Sequence, residues 1–292
     1  MATQRVLEFL VVKGRVIGAT VVVLLLMMVV GGYSALKWRD MKVIDAAADL
    51  TPEAKAAANG AVTTTTTTAP GDIGASTTTT TAAIAVPACS FGDEPAQGDP
   101  TTDWASIVVD TKLQLPSTFT PPDLVDASAA GFETGDQIRQ IIVQDLNDLR
   151  EAAKANGTPV GLISAYRSYS YQKGLFDRAV DREGEAEARK GTARPGHSEH
   201  QLGTVVDLLA AGSQSLVASF ATTPTGLWLA ANAAKYGFVF SYPDLPIEHA
   251  CYEFEPWHLR YVGKDLAPTI SASGIAPREW LLSHPAEAAP GD

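Results

Sequence analysis

The run Val16–Leu36, VIGATVVVLLLMMVVGGYSAL, is 21 residues without a charge, and it partitions the whole chain. At 1.5 Å per residue such a run reaches about 30 Å as a helix, the thickness of a bilayer's hydrocarbon core. Tyr33 and Trp38 stand where an interfacial aromatic belt places its rings. A cleaved signal peptide is the competing reading, but the run is long for that role and no clear Ala-x-Ala site follows. The expectation is a retained single-pass anchor over 16–36, with 1–15 as a short cytoplasmic N-terminus. Residues 37–98 have almost nothing to bury. They include six threonines at 63–68 and five more at 77–81, the composition of a disordered stalk. Basic residues flank the span evenly, so its orientation rests on the stalk, which suits a domain held on the outer, extracytoplasmic side of the membrane. A folded domain is then expected over 99–284, with 285–292 as a flexible tail.

Charge narrows the partners. Residues 1–45 carry a net +3 and the remainder −14. A body that acidic repels phosphate backbones, which argues against nucleic acid. Both cysteines, Cys89 and Cys251, lie beyond the anchor. On an oxidising side they are candidates for one disulfide joining the start of the domain to a late segment; two buried free thiols are the alternative.

Within the domain, strands and helices alternate without a regular βαβ rhythm. WASIVV (104–109), PVGLIS (159–164), VVDLL (205–209), FVFSYP (238–243) and WHLRYV (257–262) read as strands. Ile138, Ile141, Ile142, Leu146 and Leu149 recur at helical spacing before Gly157. Leu175, Phe176 and Val180 mark a second helix, DREGEAEARKG (181–191) a charged loop, and TGLWLAANAAKYG (225–237) a third helix. The fold class expected is α+β, a mostly antiparallel central sheet with flanking helices.

RPGHSEHQLGTVVDLL (194–209) holds two of the five histidines in the chain. A catalytic zinc needs three protein ligands, an open position and usually a carboxylate near its water. His200 and Asp207 are the first candidates, with Gly203 permitting a sharp turn between them. His258, in EFEPWHLRYV, is the strongest offer of a third ligand. Glu255, three residues earlier, is placed to act as general base. Arg167 directly follows an expected strand, where an arginine could polarise a carbonyl. His249 and His284 read as solvated. Each residue alone is a weak signal; their combination in this order is specific.

The segments SAYRSYSYQ, PGHSEHQLGTVVD and EPWHLRYVG resemble the signature regions of the VanY/VanX-type zinc D,D-peptidases, over about residues 105–270. The family pattern Ser-x-His-x-x-Gly-x-Ala-x-Asp is met by Ser198, His200, Gly203 and Asp207, with Val205 at the Ala position. Glu-x-x-Trp-His is met by Glu255, Trp257 and His258. The resemblance implies a hedgehog/DD-peptidase-like fold and Zn2+ held by His200, Asp207 and His258. It further implies Glu255 as general base and acid, and Arg167 on the scissile carbonyl. Ser168, Gln172 and Ser198 fall where the family contacts substrate, and His197 becomes a neighbour that shapes the pocket or contacts substrate. The implied activity is removal of a C-terminal D-Ala from a peptidoglycan stem peptide by an enzyme anchored in the cell membrane. Two alternatives stay open: L,D-carboxypeptidase specificity, and a non-catalytic zinc module that binds the wall. The Ser-x-x-Lys match at Ser170–Lys173 lacks the companion motifs of the serine peptidases.

Overall fold

The computed structural model describes residues 86–285. The expected anchor, the threonine tracts and the final residues lie outside the described residues. Among the described residues no helix is long and apolar enough to cross a membrane.

The first strand among the described residues, β1 (Glu94–Pro95), pairs in parallel with β2 (Leu113–Gln114). The fold therefore starts ahead of the Asp99 boundary expected from composition, and a disulfide between Cys89 and Cys251 fastens this segment to a loop 162 residues away. The hairpin-like pair β3 (Leu124–Asp126) and β4 (Gln137–Arg139) leads into α1 (Val143–Ala155), whose Leu146, Leu149 and Ala153 are buried at i, i+3 and i+7. β5 (Val160–Ser164), α2 (Tyr169–Glu183) and α3 (Glu185–Gly191) follow, then β6 (Val205–Ala210) and α4 (Pro224–Asn232). β7 (Phe238–Phe240), β8 (His258–Tyr261), α5 (Ala267–Ser273) and α6 (Pro277–Ser283) complete the fold.

The central sheet has the order β5-β6-β8-β7, and every pairing in it is antiparallel, as the α+β reading requires. Val206, Leu208, Leu259 and Phe238 pack with Leu146, Leu149 and Leu229 into the main core. Strand alternation turns Asp207, between Val206 and Leu208, to the other face.

Three local expectations are corrected. WASIVV is not a strand. The Arg260 guanidinium donates to the carbonyl oxygens of Trp104, Ala105 and Ile107, so a side chain satisfies groups that a ladder would otherwise need. The helix expected from Ile138 begins only at Val143. Ile138 sits in β4, where the Arg139 N–H donates to the Gly203 carbonyl and its side chain binds Asp123. The charged segment 181–191 is helical on both sides of Gly184, a residue at φ +84°. In α3, Glu185 and Glu187 open the helix and Arg189 and Lys190 close it, which complements the helix dipole.

Candidate metal centre and cleft

Three ligand-type side chains converge because of register and one turn. Asp207 and His258 are direct cross-strand partners in β6 and β8, so their side chains share a face. His200 lies on the short 3-10 turn Glu199–Leu202, which ends at Gly203 with φ +71°. A Cβ at Gly203 would stand 2.9 Å from the Arg139 side chain, so both the left-handed backbone and the tight approach demand glycine. The turn returns the chain to β6 with His200 over Asp207. One ligand atom from each of His200, Asp207 and His258 falls within 4.8 Å of the others, and all three residues are buried.

Hydrogen bonds behind the cluster select which nitrogens face it. His200 Nδ1–H donates to the Ala165 carbonyl at 2.6 Å, which leaves Nε2 toward Asp207 Oδ2 at 3.3 Å. His258 Nε2–H donates to Glu199 Oε2 at 3.0 Å, which leaves Nδ1 3.4 Å from Asp207 Oδ1. His200 Nε2 and Asp207 Oδ1 are buried without a hydrogen-bond partner among the described residues. Two orphaned acceptor atoms aimed at one point, beside a third nitrogen, are the donor set a divalent zinc takes.

Glu199 was not among the residues singled out from sequence. Its carboxylate is buried, accepts from His258, and also accepts from Arg260 Nη1 at 2.8 Å. Burial pushes its pKa up, but Arg260 and then His258 override this and hold it at about 2. Its position beside His200 in the SEHQ stretch was the only available signal. Burial pulls His258 down, yet the Asp207 and Glu199 carboxylates on either side of its ring carry it to about 9 in the metal-free protein. Burial and the nearby Arg167 guanidinium lower His200 to about 4.

Glu255 reaches His258 Nδ1 at 3.5 Å from the mouth of the site. Burial raises its pKa to about 7, against the pull of His258. Arg167 follows β5 and is aimed by Ser164, to whose Oγ its Nε–H donates at 2.8 Å, while Nη2 donates to Asp207 Oδ2 at 2.7 Å.

The remaining expected residues divide. Gln172 and Ser198 line a cleft of about 650 Å³ that opens from the cluster. Gln172 is fixed there by donating to the Ala193 carbonyl and accepting from Arg167. Ser168 caps α2, its Oγ accepting from the Tyr171 N–H. His197 is not among the residues lining the cleft: its ring is buried between the Asp110 carbonyl and Asp93, where it braces the β1 segment. His249 bonds Glu279 at 2.8 Å, and His284 stacks on Trp280 at 4.7 Å and is half-buried, so neither is simply solvated.

A buried two-histidine, one-aspartate cluster with a raised-pKa carboxylic acid beside it is the constellation of a metal-dependent hydrolase. Residues 135–264 match the family model of VanY, D-alanyl-D-alanine carboxypeptidase. The chain is 32% identical over 194 residues to a D-alanyl-D-alanine carboxypeptidase of Enterococcus faecalis, covering 63% of this chain and 68% of the relative. Among solved structures it is similar to the LD-carboxypeptidase LdcB, at 37% identity and a TM-score of 0.56, with 60% of this chain and 84% of that one covered. It is also similar to a VanY D,D-pentapeptidase variant in complex with Zn(II), at 31% identity and a TM-score of 0.53, covering 61% and 99%. The chain belongs to the VanY family. It spans 66% and 68% of the length of two curated relatives, and 65% and 42% of two others.

Proposed function

We propose that this protein is a zinc-dependent carboxypeptidase that removes a C-terminal D-alanine from peptidoglycan stem peptides on the outer side of the membrane. The observation that carries the reading is the buried His200–Asp207–His258 cluster with Glu255 at its open side. His200 Nε2, an Asp207 oxygen and His258 Nδ1 would hold the ion. A zinc ion held there would supply Lewis acidity toward the scissile carbonyl and would make the attacking water a stronger acid. Glu255, at the open side of the cluster, accepts the water's proton as attack proceeds and returns it to the departing amine. Arg167, whose orientation Ser164 and Asp207 fix, donates to the carbonyl oxygen as negative charge develops there. Gln172 and Ser198 lie on the cleft wall, where they can bond the peptide backbone. A module that only binds the wall has no use for an acid of raised pKa beside the cluster together with an arginine turned to the same opening.

The likeness to an LD-carboxypeptidase favours a second specificity, release of the D-residue from a tetrapeptide. The test is incubation of the zinc-loaded full chain with stem pentapeptide and tetrapeptide, followed by mass analysis. Loss of one D-Ala from pentapeptide, suppressed by chelator and restored by zinc, is the expected result. Loss from tetrapeptide alone moves the assignment to L,D-cleavage. Zinc bound stoichiometrically with neither peptide cut refutes the enzymatic reading.

A further inference from the structure

One face of α2 forms a wall of the cleft. Tyr171, Leu175, Arg178 and Arg182 recur at i, i+4, i+7 and i+11 and all line it. Charge along the cleft is divided by position. Asp207, Glu255 and Arg167 gather at the metal cluster, and the other charged side chains lining the cleft are Arg178 and Arg182, farther along α2.

These two arginines have little structural employment. Arg178 makes no hydrogen bond or ion pair among the described residues, and the adjacent Asp177 is held by Lys173 at 2.7 Å. Arg182 has a single ion-pair partner among the described residues, the adjacent exposed Glu183 at 3.2 Å. In a chain of net charge −11, two exposed guanidiniums on the cleft wall, neither of them paired with Asp207 or Glu255, are an available anion site.

Gly174 leaves room for the first. It lies inside α2, where only proline is a poorer helix former. A Cβ at that position would stand 3.3 Å from Arg178 Nη1, so the guanidinium folds back over the preceding turn, toward the end of α2 that Arg167 precedes. Five residues separate Tyr169 from Gly174, about 7.5 Å of helix, which is the reach of two to three residues of extended peptide. A carboxypeptidase holds a single residue on the carboxyl side of the scissile bond, about 3.5 Å of extended chain, too short to reach along two turns of helix. The long arm belongs to the amino side.

We propose that Arg178, with Arg182 behind it, forms an anion subsite for a free carboxylate carried by the substrate peptide two or three residues to the amino side of the scissile bond. The planar guanidinium fork matches a carboxylate in two-point contact. This subsite selects acidic stem peptides and rests on the carboxypeptidase reading above.

The test uses the zinc-loaded full chain and synthetic peptides ending in D-Ala-D-Ala. Paired peptides carry either a free carboxylate or its carboxamide at the second or third residue before the scissile bond. At one of these positions kcat/KM is expected to be about tenfold higher for the carboxylate, through KM, with the ratio falling as salt is raised. In the Arg178→Gln/Arg182→Gln double variant the ratio falls to near one. Equal hydrolysis of each pair by the wild-type protein overturns the subsite and leaves the carboxypeptidase reading intact. An undiminished ratio in the double variant also overturns it. No release from any peptide overturns the underlying reading instead.

Discussion

Replacing Glu199 by Gln removes one negative charge from a site where two cations were arranged around it. The carboxylate takes one bond from His258 Nε2 at 3.0 Å and one from Arg260 Nη1 at 2.8 Å. A glutamine has a single carbonyl oxygen, so it can accept from one partner while presenting its NH2 to the other. If His258 loses its acceptor, its ring is no longer held with Nδ1 toward Asp207. Loss of such outer contacts weakens metal binding by about 10–100-fold, roughly 1.4–2.7 kcal/mol. If Arg260 loses its counter-ion, a fully buried guanidinium remains, bonded only to the carbonyls of Trp104, Ala105 and Ile107. Leaving a buried charge uncompensated costs about 3–5 kcal/mol of fold stability. Two assays separate the effects: zinc competition against a chromophoric chelator, and urea unfolding of the metal-free protein. A zinc Kd within threefold of wild type together with an unchanged unfolding midpoint would refute the claim that Glu199 orients His258 and neutralises Arg260.

Other expectations follow from single features of the site. Glu255→Ala lowers kcat by about 10²–10⁴-fold while zinc content stays stoichiometric; wild-type turnover in that variant removes the general-base role. Exchanging both Cys89 and Cys251 for serine opens a 162-residue loop and costs up to about 5 kcal/mol on the chain-entropy model, read as a lower urea midpoint. An unmoved midpoint would show that the bond does not constrain the unfolded chain. Burial holds His197 below the usual imidazole range. Unfolded chains therefore take up this proton near pH 6.5 and the folded protein does not, so stability is complete above that pH and declines as pH falls below it. The stability difference between wild type and His197→Gln in the zinc-loaded protein should shrink between pH 6.5 and 5, and a difference flat across that window contradicts the assignment.

The identities of the site residues were legible from order and spacing. His200 and Asp207 flank a glycine, and His258 follows Glu255 by one helical turn's worth of chain, a pattern that needs no coordinates to notice. The strands VVDLL and WHLRYV were legible too, since apolar runs bounded by turn residues bury themselves wherever they pair. Register was not. That Asp207 lies opposite His258 depends on which strands become neighbours, and strand order is settled by the packing of α1 and α4 against one face of the sheet. The same nonlocal origin explains WASIVV, whose apolar alternation suits a strand but whose carbonyls are taken by Arg260 from a distant strand. It explains His197 as well, since proximity to His200 in sequence says nothing of a ring that turns to Asp93 and Asp110. Glu199 and the arginines of α2 are ordinary charged residues in the sequence, and only the folded chain shows one buried against two cations and the others facing a cleft. Sequence alone determined which chemical groups this protein has and where its apolar strands VVDLL and WHLRYV run, because those depend on near neighbours. The tertiary structure decided which nitrogens face the metal position, which carboxylate holds them and how the cleft is charged, because each of these is set by contacts between residues far apart in the chain.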